Sequence, residues 1–229
     1  MPTGAIIIIL FSVLSLAGWL VYASASIRSG VYVKAVCTLP AREKVMALTF
    51  DDGPDSRITP EILDVLREHH IKAIFFCAGR KIAGQETLLR RAVAEGHLLG
   101  NHSFSHTPLF PLLPYAKMKR DLERCEKSIR QITGQQPVSL FRPPYGVTNP
   151  VVAKAAAQLG CRTLGWSVRS FDTVKKDYRK VANRINKRIK PGNIILLHDT
   201  TPSIPAILND IIHHARQQGY RFVRADKYL

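Results

Sequence analysis

Cysteine is scarce in this chain, and no two cysteines lie close together in the sequence. The 229 residues include four cysteines and no CxxC pair. This spacing argues against a zinc site made of cysteines and against a redox dithiol. Cys77 and Cys161 lie in apolar, strand-like runs, which is typical of core residues. The sequence also has no internal repeat and no low-complexity tract, and no second domain is indicated.

Acidic residues are few compared with basic ones. The chain has 17 acidic and 33 basic residues, which gives a formal net charge of +16. A balance of this size favours anionic surroundings such as nucleic acid, phospholipid headgroups or an acidic polymer. With 46% hydrophobic residues, the chain is long enough for one sizeable core and short for two full domains.

Charge is absent from the first 27 residues. The apolar run 5–25 would span roughly 30 Å as a helix, about one hydrocarbon core, and Trp19 and Tyr22 suit a membrane interface. A buried core helix is the alternative, but such helices rarely lack a polar face. The triplet 23–25 resembles a signal-peptidase site, although the positive n-region is missing. We therefore expect a transmembrane anchor or signal segment in 1–27 and favour the uncleaved anchor.

Basic residues follow this apolar run, and their position indicates on which side of the membrane the following domain would lie. On the positive-inside tendency they favour a cytoplasmic domain, although a long domain can be translocated despite such charges. We interpret residues 28–44 as a linker and 45–229 as one domain. The basic residues of the linker are Arg28, Lys34, Arg42 and Lys44.

Strand-like and helical runs alternate after residue 44. This pattern predicts repeated βα units around a parallel sheet, either closed as a barrel or open and doubly wound. The predicted strands are 45–50, 72–79, 98–103, 138–144, 162–168, 193–199 and 220–225. The predicted helices are 59–70, 86–97, 115–134, 149–160, 177–190 and 204–219.

Polar side chains end or follow five of the predicted strands. In both architectures the chemistry gathers at the carboxyl ends of the strands, so we expect these side chains to share one rim. They are Asp51 and Asp52, His102, Arg142, Asp172 and His198.

The stretch HSFSH sets His102 and His106 four residues apart, so that on a helical turn both would share one face. Surface histidine pairs at this spacing are common. An aspartate at the neighbouring rim strengthens the metal hypothesis, because two histidines and one carboxylate form a catalytic zinc set with an open position. The metal would also offset the repulsion between Asp51 and Asp52, one of which could bind it while the other acts as a base.

The remaining polar residues fit a hydrolase. Arg142 could form a forked salt bridge to a carboxylate, or be a surface arginine. The prolines after it stiffen a turn whose Tyr145 and Gly146 amides could face a substrate oxygen. His198 alone would more often be a hydrogen-bonded core histidine, but Asp172 could orient it and raise its pKa, which would make it a proton donor.

The set TFDDGPD, HSFSH, RPPYG, the W-to-D stretch 166–172 and LLH resembles the polysaccharide deacetylase family, also called the NodB-homology domain or carbohydrate esterase family 4. All five family motifs occur in order over about residues 45–225. The resemblance implies an α/β fold, a distorted (β/α)7 barrel, here preceded by a transmembrane helix. It also implies metal-dependent removal of N- or O-acetyl groups from a glycan.

The resemblance implies a role for each matching residue. Asp51 matches the catalytic base and Arg142 the residue that holds it. His198 matches the catalytic acid, and Asp172 matches the residue that orients it.

Binding roles follow in the same way. Asp52, His102 and His106 match the ligands of a divalent metal, for which Zn²⁺ is expected and Co²⁺ or Ni²⁺ are alternatives. The Tyr145 amide matches the oxyanion donor, and Leu196 matches the apolar contact of the acetyl methyl group. The fourth motif departs from the family at Arg169 and Thr173, which alters one groove wall and leaves glycan selectivity open.

These observations favour a metal-dependent hydrolase that removes N-acetyl groups from a GlcNAc-containing polysaccharide such as peptidoglycan, a chitin-like chain or an exopolysaccharide. The expected partners are the glycan and a membrane bound through residues 5–25, with the domain on the extracytoplasmic side. The alternatives are a catalytically silent glycan-binding module and a deacylase of a lipid-linked sugar. A nucleic-acid binder is not expected, because the basic helix 177–190 lacks interleaved aromatics.

Overall fold

Helices and strands alternate along the part of the chain that the structure describes. The computed structural model describes residues 3–134, 139–175 and 177–229. The strands are β1 (Val45–Asp51), β2 (Ile74–Cys77), β3 (Leu98–Asn101), β4 (Leu140–Phe141), β5 (Arg162–Thr163), β6 (Val168–Arg169), β7 (Asn193–His198) and β8 (Arg221–Phe222). The helices are α1 (Thr3–Ala25), α2 (Ile58–Glu68), α3 (Glu86–Ala94), α4 (Tyr115–Thr133), α5 (Pro150–Gln158), α6 (Tyr178–Asn186) and α7 (Ile204–Gln217).

The strands form one parallel sheet in the order β5-β4-β3-β2-β1-β7-β6, with β8 paired to the start of β1. This is the cyclic strand order of a seven-stranded barrel that is open between β5 and β6. Within the described residues no pairing joins these two strands. The predicted βα alternation is confirmed, and the sheet curls into a half-barrel surrounded by helices.

Strand β1 is buried on both faces, which explains its unbroken apolar run. Val45 and Ala47 point into the sheet's concave core, together with side chains of the neighbouring strands. Met46, Leu48 and Phe50 point outward and pack beneath the helices. Successive side chains of a strand point to opposite faces. A polar residue at the end of β1 therefore faces the concave side only if it continues the alternation of Val45 and Ala47.

The outer core is covered by amphipathic helices. Helix α7 presents one apolar stripe to the sheet, at the spacing of successive helical turns. The stripe consists of Ile204, Ile207, Leu208, Ile211 and Ile212, all fully buried.

Most predicted strands are longer than the observed ones, and the last is reduced to β8. The predicted strand 162–168 is two strands, because the chain turns between Thr163 and Val168, where the Leu164 and Gly165 carbonyls accept hydrogen bonds from an arginine. The third strand ends at Asn101, since Ser103 has a φ of 64°. The fourth is reduced to β4, and the start of its prediction, Val138, lies outside the described residues.

The segment 28–44, which we interpreted as a linker, packs on the sheet. Val36 forms a parallel bridge to Leu164, and Thr38 forms an antiparallel bridge to Asn193. Leu39 is buried in the concave core. This segment therefore packs beside the end of β5 and the start of β7, along the open side of the sheet. The domain boundary at residue 44 stays a prediction.

Helix α1 is a candidate membrane span. Its window Ile7–Ala25 has a mean hydropathy of 2.1 and is almost entirely exposed. Among the described residues of the helix, only Ala23 near the C-terminal end is buried. The Ala23 carbonyl accepts a hydrogen bond from Thr148 Oγ1 at 3.2 Å, and the Ser24 carbonyl accepts one from Thr148 N at 2.9 Å. Met1 and Pro2, at the start of the predicted segment 1–27, lie outside the described residues.

Candidate active site

Neighbouring strand ends bring the polar residues to one rim. Asp51 at the end of β1 lies in register with His198 at the end of β7. On the other side of β1, Asn101 ends β3 and is followed by His102. The expectation that these side chains share the carboxyl ends of the strands agrees with this arrangement.

Asp51 is buried and faces Arg142. Arg142 Nη1 donates to Asp51 Oδ1 at 2.7 Å, and both side chains are almost wholly excluded from solvent. The other oxygen, Oδ2, lies 3.8 Å from His102 Nε2. One carboxylate oxygen is therefore held by the guanidinium, while the second faces the histidines.

The hydrogen-bond donors of the buried Arg142 guanidinium have partners inside the protein. Its Nε donates to the Leu164 carbonyl at 2.9 Å, and its Nη2 donates to the Gly165 carbonyl at 2.8 Å. Nη1 also donates to Thr49 Oγ1 at 2.9 Å, and the guanidinium lies over the Phe76 ring. Only one nitrogen binds the carboxylate, so the forked salt bridge expected from the sequence is not formed. Burial lowers the pKa of Arg142 from its ordinary value, and the nearby carboxylate opposes this shift.

Asp52 turns the opposite way and meets two imidazoles. Asp52 Oδ1 lies 3.4 Å from His102 Nε2 and 3.1 Å from His106 Nε2. Burial raises the pKa of Asp52, but the two histidines that face its carboxylate outweigh burial and hold the pKa well below its ordinary value. Adjacent acids are thus tolerated because each faces a different partner.

These three side chains fit a divalent metal. They offer one ligand atom each, and the three atoms lie within 4.8 Å of one another. His106 Nε2 is buried and has no hydrogen-bond partner among the described residues. His102 Nδ1 lies 2.7 Å from the Arg142 carbonyl, which places the ring proton there and leaves the Nε2 lone pair facing Asp52. A carboxylate with two imidazoles is a donor set that suits zinc.

The two histidines lie on a loop, so the expectation of a shared helical face is wrong. The loop is held by Asp121 of α4, whose carboxylate accepts from Phe104 N at 2.7 Å and also from Ser105 N. His106 N donates to Ser103 Oγ at 3.0 Å. Long-range hydrogen bonds therefore supply the geometry that a helical turn would otherwise give.

Left-handed backbone conformations cluster at this rim. In non-glycine residues a positive φ is uncommon and stores strain. In the described part of the chain, five of the six such residues lie within the site or next to it. They are Asp52, Ser103, His106, Tyr145 and Phe171.

His198 is paired with Asp172. His198 Nδ1 lies 2.7 Å from Asp172 Oδ1, and His198 N donates to Asp172 Oδ2 at 2.8 Å. Ser170 Oγ also donates to this carboxylate at 2.6 Å. Burial lowers the pKa of His198, but the hydrogen bond and charge of Asp172 outweigh it and raise the pKa above its ordinary value. The imidazole is thus oriented and kept ready to carry a proton.

The turn after Arg142 leaves one amide for a ligand. Gly146 N donates to the Pro143 carbonyl at 3.0 Å, so the Gly146 amide is committed, contrary to expectation. Within the described residues the Tyr145 amide has no hydrogen-bond acceptor, and the half-exposed Tyr145 ring lies beside His106. Leu196 is buried on β7, on the same strand face as His198 and two residues before it.

Sequence reasoning missed Asp199, which supports the rim from below. Asp199 is buried, and Thr59 Oγ1 donates to its Oδ2 at 2.7 Å. Burial raises the pKa of Asp199 to about 7. The carboxylate occupies the space that a side chain at position 53 would need, so only glycine fits after Asp52. The buried aspartate directly after His198 in LLHD was the available signal. The other supporting residues missed are Thr49, Asn101 and Asp121.

A family model described as polysaccharide deacetylase matches residues 38–164. The chain belongs to the polysaccharide deacetylase family. It is therefore an enzyme of the polysaccharide deacetylase type, as its motifs predicted.

Curated relatives and solved structures agree with this assignment. The peptidoglycan-N-acetylmuramic acid deacetylase PdaA of Bacillus subtilis is 35% identical over 82% of this chain and 72% of its own. Its structure, described as a family 4 carbohydrate esterase, matches with a TM-score of 0.77, 34% identity and coverage of 85% and 84%. A peptidoglycan-N-acetylglucosamine deacetylase of Bacillus cereus is 35% identical over 83% of this chain and 91% of its own. The predicted distorted (β/α)7 fold is confirmed.

One structural neighbour bears on the alternative of a silent module. A family 4 pseudoenzyme from Bacillus anthracis matches with a TM-score of 0.78 and 26% identity, over 85% of this chain and 68% of its own. A mutant of that protein has restored enzymatic activity. The fold alone therefore does not guarantee catalysis, and the site residues must carry the argument.

Proposed function

We propose that this chain is a metal-dependent N-deacetylase of GlcNAc- or MurNAc-containing peptidoglycan, anchored by α1 with its domain on the extracytoplasmic side. The observation that carries the proposal is the meeting of two oriented pairs, Asp51 with Arg142 and Asp172 with His198, beside Asp52 and the two histidines. The names of the relatives support peptidoglycan as the glycan. Peptidoglycan lies outside the cytoplasmic membrane, which supports the orientation.

Asp52, His102 and His106 would hold the metal. When bound, the metal would lower the pKa of a water molecule and polarise the acetyl carbonyl. Asp51 Oδ2, the oxygen that the guanidinium leaves free, lies 3.8 Å from His102 Nε2 and therefore beside these ligands. We assign the identity of Zn²⁺ from the donor set alone.

Asp51 acts as the general base. Its Oδ1 is held by Arg142, so Oδ2 is the atom that takes the proton from the attacking water. Arg142 holds this carboxylate in place, because its guanidinium is itself fixed by two backbone carbonyls and cannot turn away.

His198 acts as the general acid. Nδ1 carries a proton toward Asp172, so Nε2 is the atom that protonates the leaving amine. The Tyr145 amide would stabilise the tetrahedral oxyanion, and Leu196 would contact the acetyl methyl group. Acetate and a free sugar amine are the products.

The proposal is tested with the full chain in neutral detergent and a panel of acetylated glycans. Acetate and free amine are measured from GlcNAc oligomers and from peptidoglycan fragments that carry GlcNAc or MurNAc. We expect release that a chelator abolishes and Zn²⁺ restores. Release that persists without metal contradicts the metal assignment. Absence of release across the panel favours the silent glycan-binding module.

A deacylase of a lipid-linked sugar is the second candidate. It is favoured by the contact between the end of α1 and Thr148, which lies three residues after Tyr145. If α1 spans a membrane, the rim of the site lies close to the bilayer surface. A lipid-linked amino sugar in the same panel separates the two, since a preference for it over peptidoglycan fragments would replace the first proposal.

Replacing Asp172 by Asn is expected to move the alkaline limb of the rate profile to lower pH. His198 must be protonated to act, so activity falls as pH rises through its pKa. Without the Asp172 charge, burial lowers that pKa and only the more distant charges of Asp51 and Asp52 oppose it. We also expect kcat to fall by about 10²-fold. The measurement is kcat against pH. Asp177→Asn, which removes a helix-capping carboxylate five residues away, serves as the control and should leave the limb in place. An unchanged limb in Asp172→Asn would remove His198 from the acid role.

A further inference from the structure

A strongly basic pocket lies on the domain beside the end of α1. Four basic side chains line it, Arg28, Lys187, Arg188 and Lys190, and its floor includes Ser167 and Asn193. These six residues are called the basic pocket below. Its volume is about 650 Å³, within the range of pockets that hold small ligands.

The pocket is built by the fold rather than by one charged run. Arg28 follows α1, Ser167 precedes β6, and the three other cations lie between α6 and β7. Asn193 Nδ2 donates to Ser167 Oγ at 2.9 Å, and Asn193 Oδ1 accepts from Lys190 N at 2.6 Å. The loop that carries the cations is therefore held in place.

The four charges lack acidic partners. No carboxylate lines the pocket, and within the described residues none of its four cations forms an ion pair. Arg188 Nη1 donates only to the Arg184 carbonyl, at 3.1 Å. By contrast, Lys119 and Arg130 on α4 pair with glutamates one turn away. Clustered cations without counter-charges repel one another, so an anion is the expected occupant.

The position of the pocket indicates which anion. Arg28 comes three residues after Ala25, and the end of α1 is fixed to the domain by its hydrogen bonds with Thr148. If α1 spans a bilayer, a helical rise of 1.5 Å per residue puts Arg28 about 5 Å beyond the hydrocarbon core. That is the level of lipid phosphates.

We propose that the basic pocket binds the phosphate of an anionic phospholipid headgroup next to the helix. Lysine and arginine are the side chains that bind phosphate, and a basic cluster at the membrane surface gains from anionic lipid. The proposal rests on the membrane anchoring by α1 proposed above. Helix and pocket would then attach the domain at two points and fix its tilt on the bilayer.

The test uses the full chain in neutral detergent micelles, titrated with short-chain phosphatidylglycerol and, as the neutral comparison, phosphatidylcholine. Thermophoresis reports binding. The pocket variant is K187Q/R188Q/K190Q. The control is K117Q/R120Q/K127Q, which removes the same charge from the exposed face of α4. At about fivefold per side chain, we expect the pocket variant to bind the anionic lipid at least about tenfold more weakly and the control to change less than about twofold.

Other outcomes overturn the proposal. Equal weakening in both variants would mean that net charge alone attracts the lipid. Equal binding of inorganic phosphate, or tighter binding of poly(glycerol phosphate), would mean that the pocket does not select a headgroup. If the triple variant unfolds, lipid binding is measured for K190Q alone, and we expect its affinity for phosphatidylglycerol to be about fivefold weaker.

Acetate release from soluble GlcNAc oligomers keeps this result separate from the proposed function. Both triple variants should release acetate at the rate of the unaltered chain, because the basic pocket lies at the start of β7 and the site at its end. A chain that binds the lipid but releases no acetate would refute the enzyme proposal alone. A chain that releases acetate but binds both lipids equally would refute the pocket alone.

Discussion

Asp51→Asn is expected to lower kcat by about 10²–10⁴-fold, because the amide cannot take a proton from the attacking water. The change is isosteric, and the amide oxygen can still accept from Arg142 Nη1. Since Asp51 is not among the three metal-ligand residues, bound metal should stay at one ion per chain. The measurement is kcat and KM on a GlcNAc oligomer, together with metal content by mass spectrometry.

Asp55→Asn is the matched control, because it lies in the same TFDDGPD stretch. Asp55 Oδ1 accepts from Arg57 N at 2.9 Å and from Ile58 N at 3.0 Å, so its role is to start α2. Because the asparagine oxygen can accept the same two hydrogen bonds, we expect a loss of less than about 0.5 kcal/mol in unfolding free energy and no more than a twofold change in kcat. Equal kcat values for Asp51→Asn and Asp55→Asn would show that the base lies elsewhere.

Arg142→Met is expected to lower the free energy of unfolding by about 3–5 kcal/mol, because it leaves the buried Asp51 carboxylate without a counter-charge. The Leu164 and Gly165 carbonyls would also lose their donors. Activity should be lost as well, since the base is no longer held. Urea unfolding of the full chain in neutral detergent measures the effect.

Arg130→Met provides the comparison for Arg142. The Arg130 side chain is 63% exposed and pairs with Glu126 at 3.1 Å, so we expect less than about 0.5 kcal/mol. If Arg142→Met fails to fold, Arg142→Lys is measured instead. It keeps the positive charge but lacks the several donors of the guanidinium, so we expect an intermediate loss of unfolding free energy. Similar unfolding midpoints for Arg142→Met and Arg130→Met would show that the buried pair does not support the fold.

Both predictions depend on how the two adjacent acids of β1 separate. Asp51 faces the concave side, where Arg142 arrives from β4, and Asp52 takes a left-handed conformation with a φ of 77° toward the histidines. A strand alone would place neighbouring side chains on opposite faces. The strained turn at Asp52 keeps both carboxylates at the rim, so that the proposed base and the proposed metal ligand lie side by side.

Local sequence patterns were sufficient to predict the order of the elements and the polar residues at the strand ends. Periodic burial is a local property, so VMALTF predicts a strand buried on both faces, and the stripe from Ile204 to Ile212 predicts α7. The five motifs likewise predicted the family, which the family model confirms. An apolar run at 5–25 was sufficient to predict α1 as a candidate span.

Hydrogen-bond partners that are distant along the chain could be identified only from the tertiary structure. Arg142 reaches Asp51 across 91 residues, and it uses one nitrogen where a fork was expected. Asp121 shapes the histidine loop, which local spacing predicted to be helical. Leu164 and Gly165 break a predicted strand because their carbonyls serve Arg142. The periodicity of apolar residues predicts which residues are buried. Hydrogen bonds between distant segments depend on how the whole sheet curls, so local periodicity does not predict them.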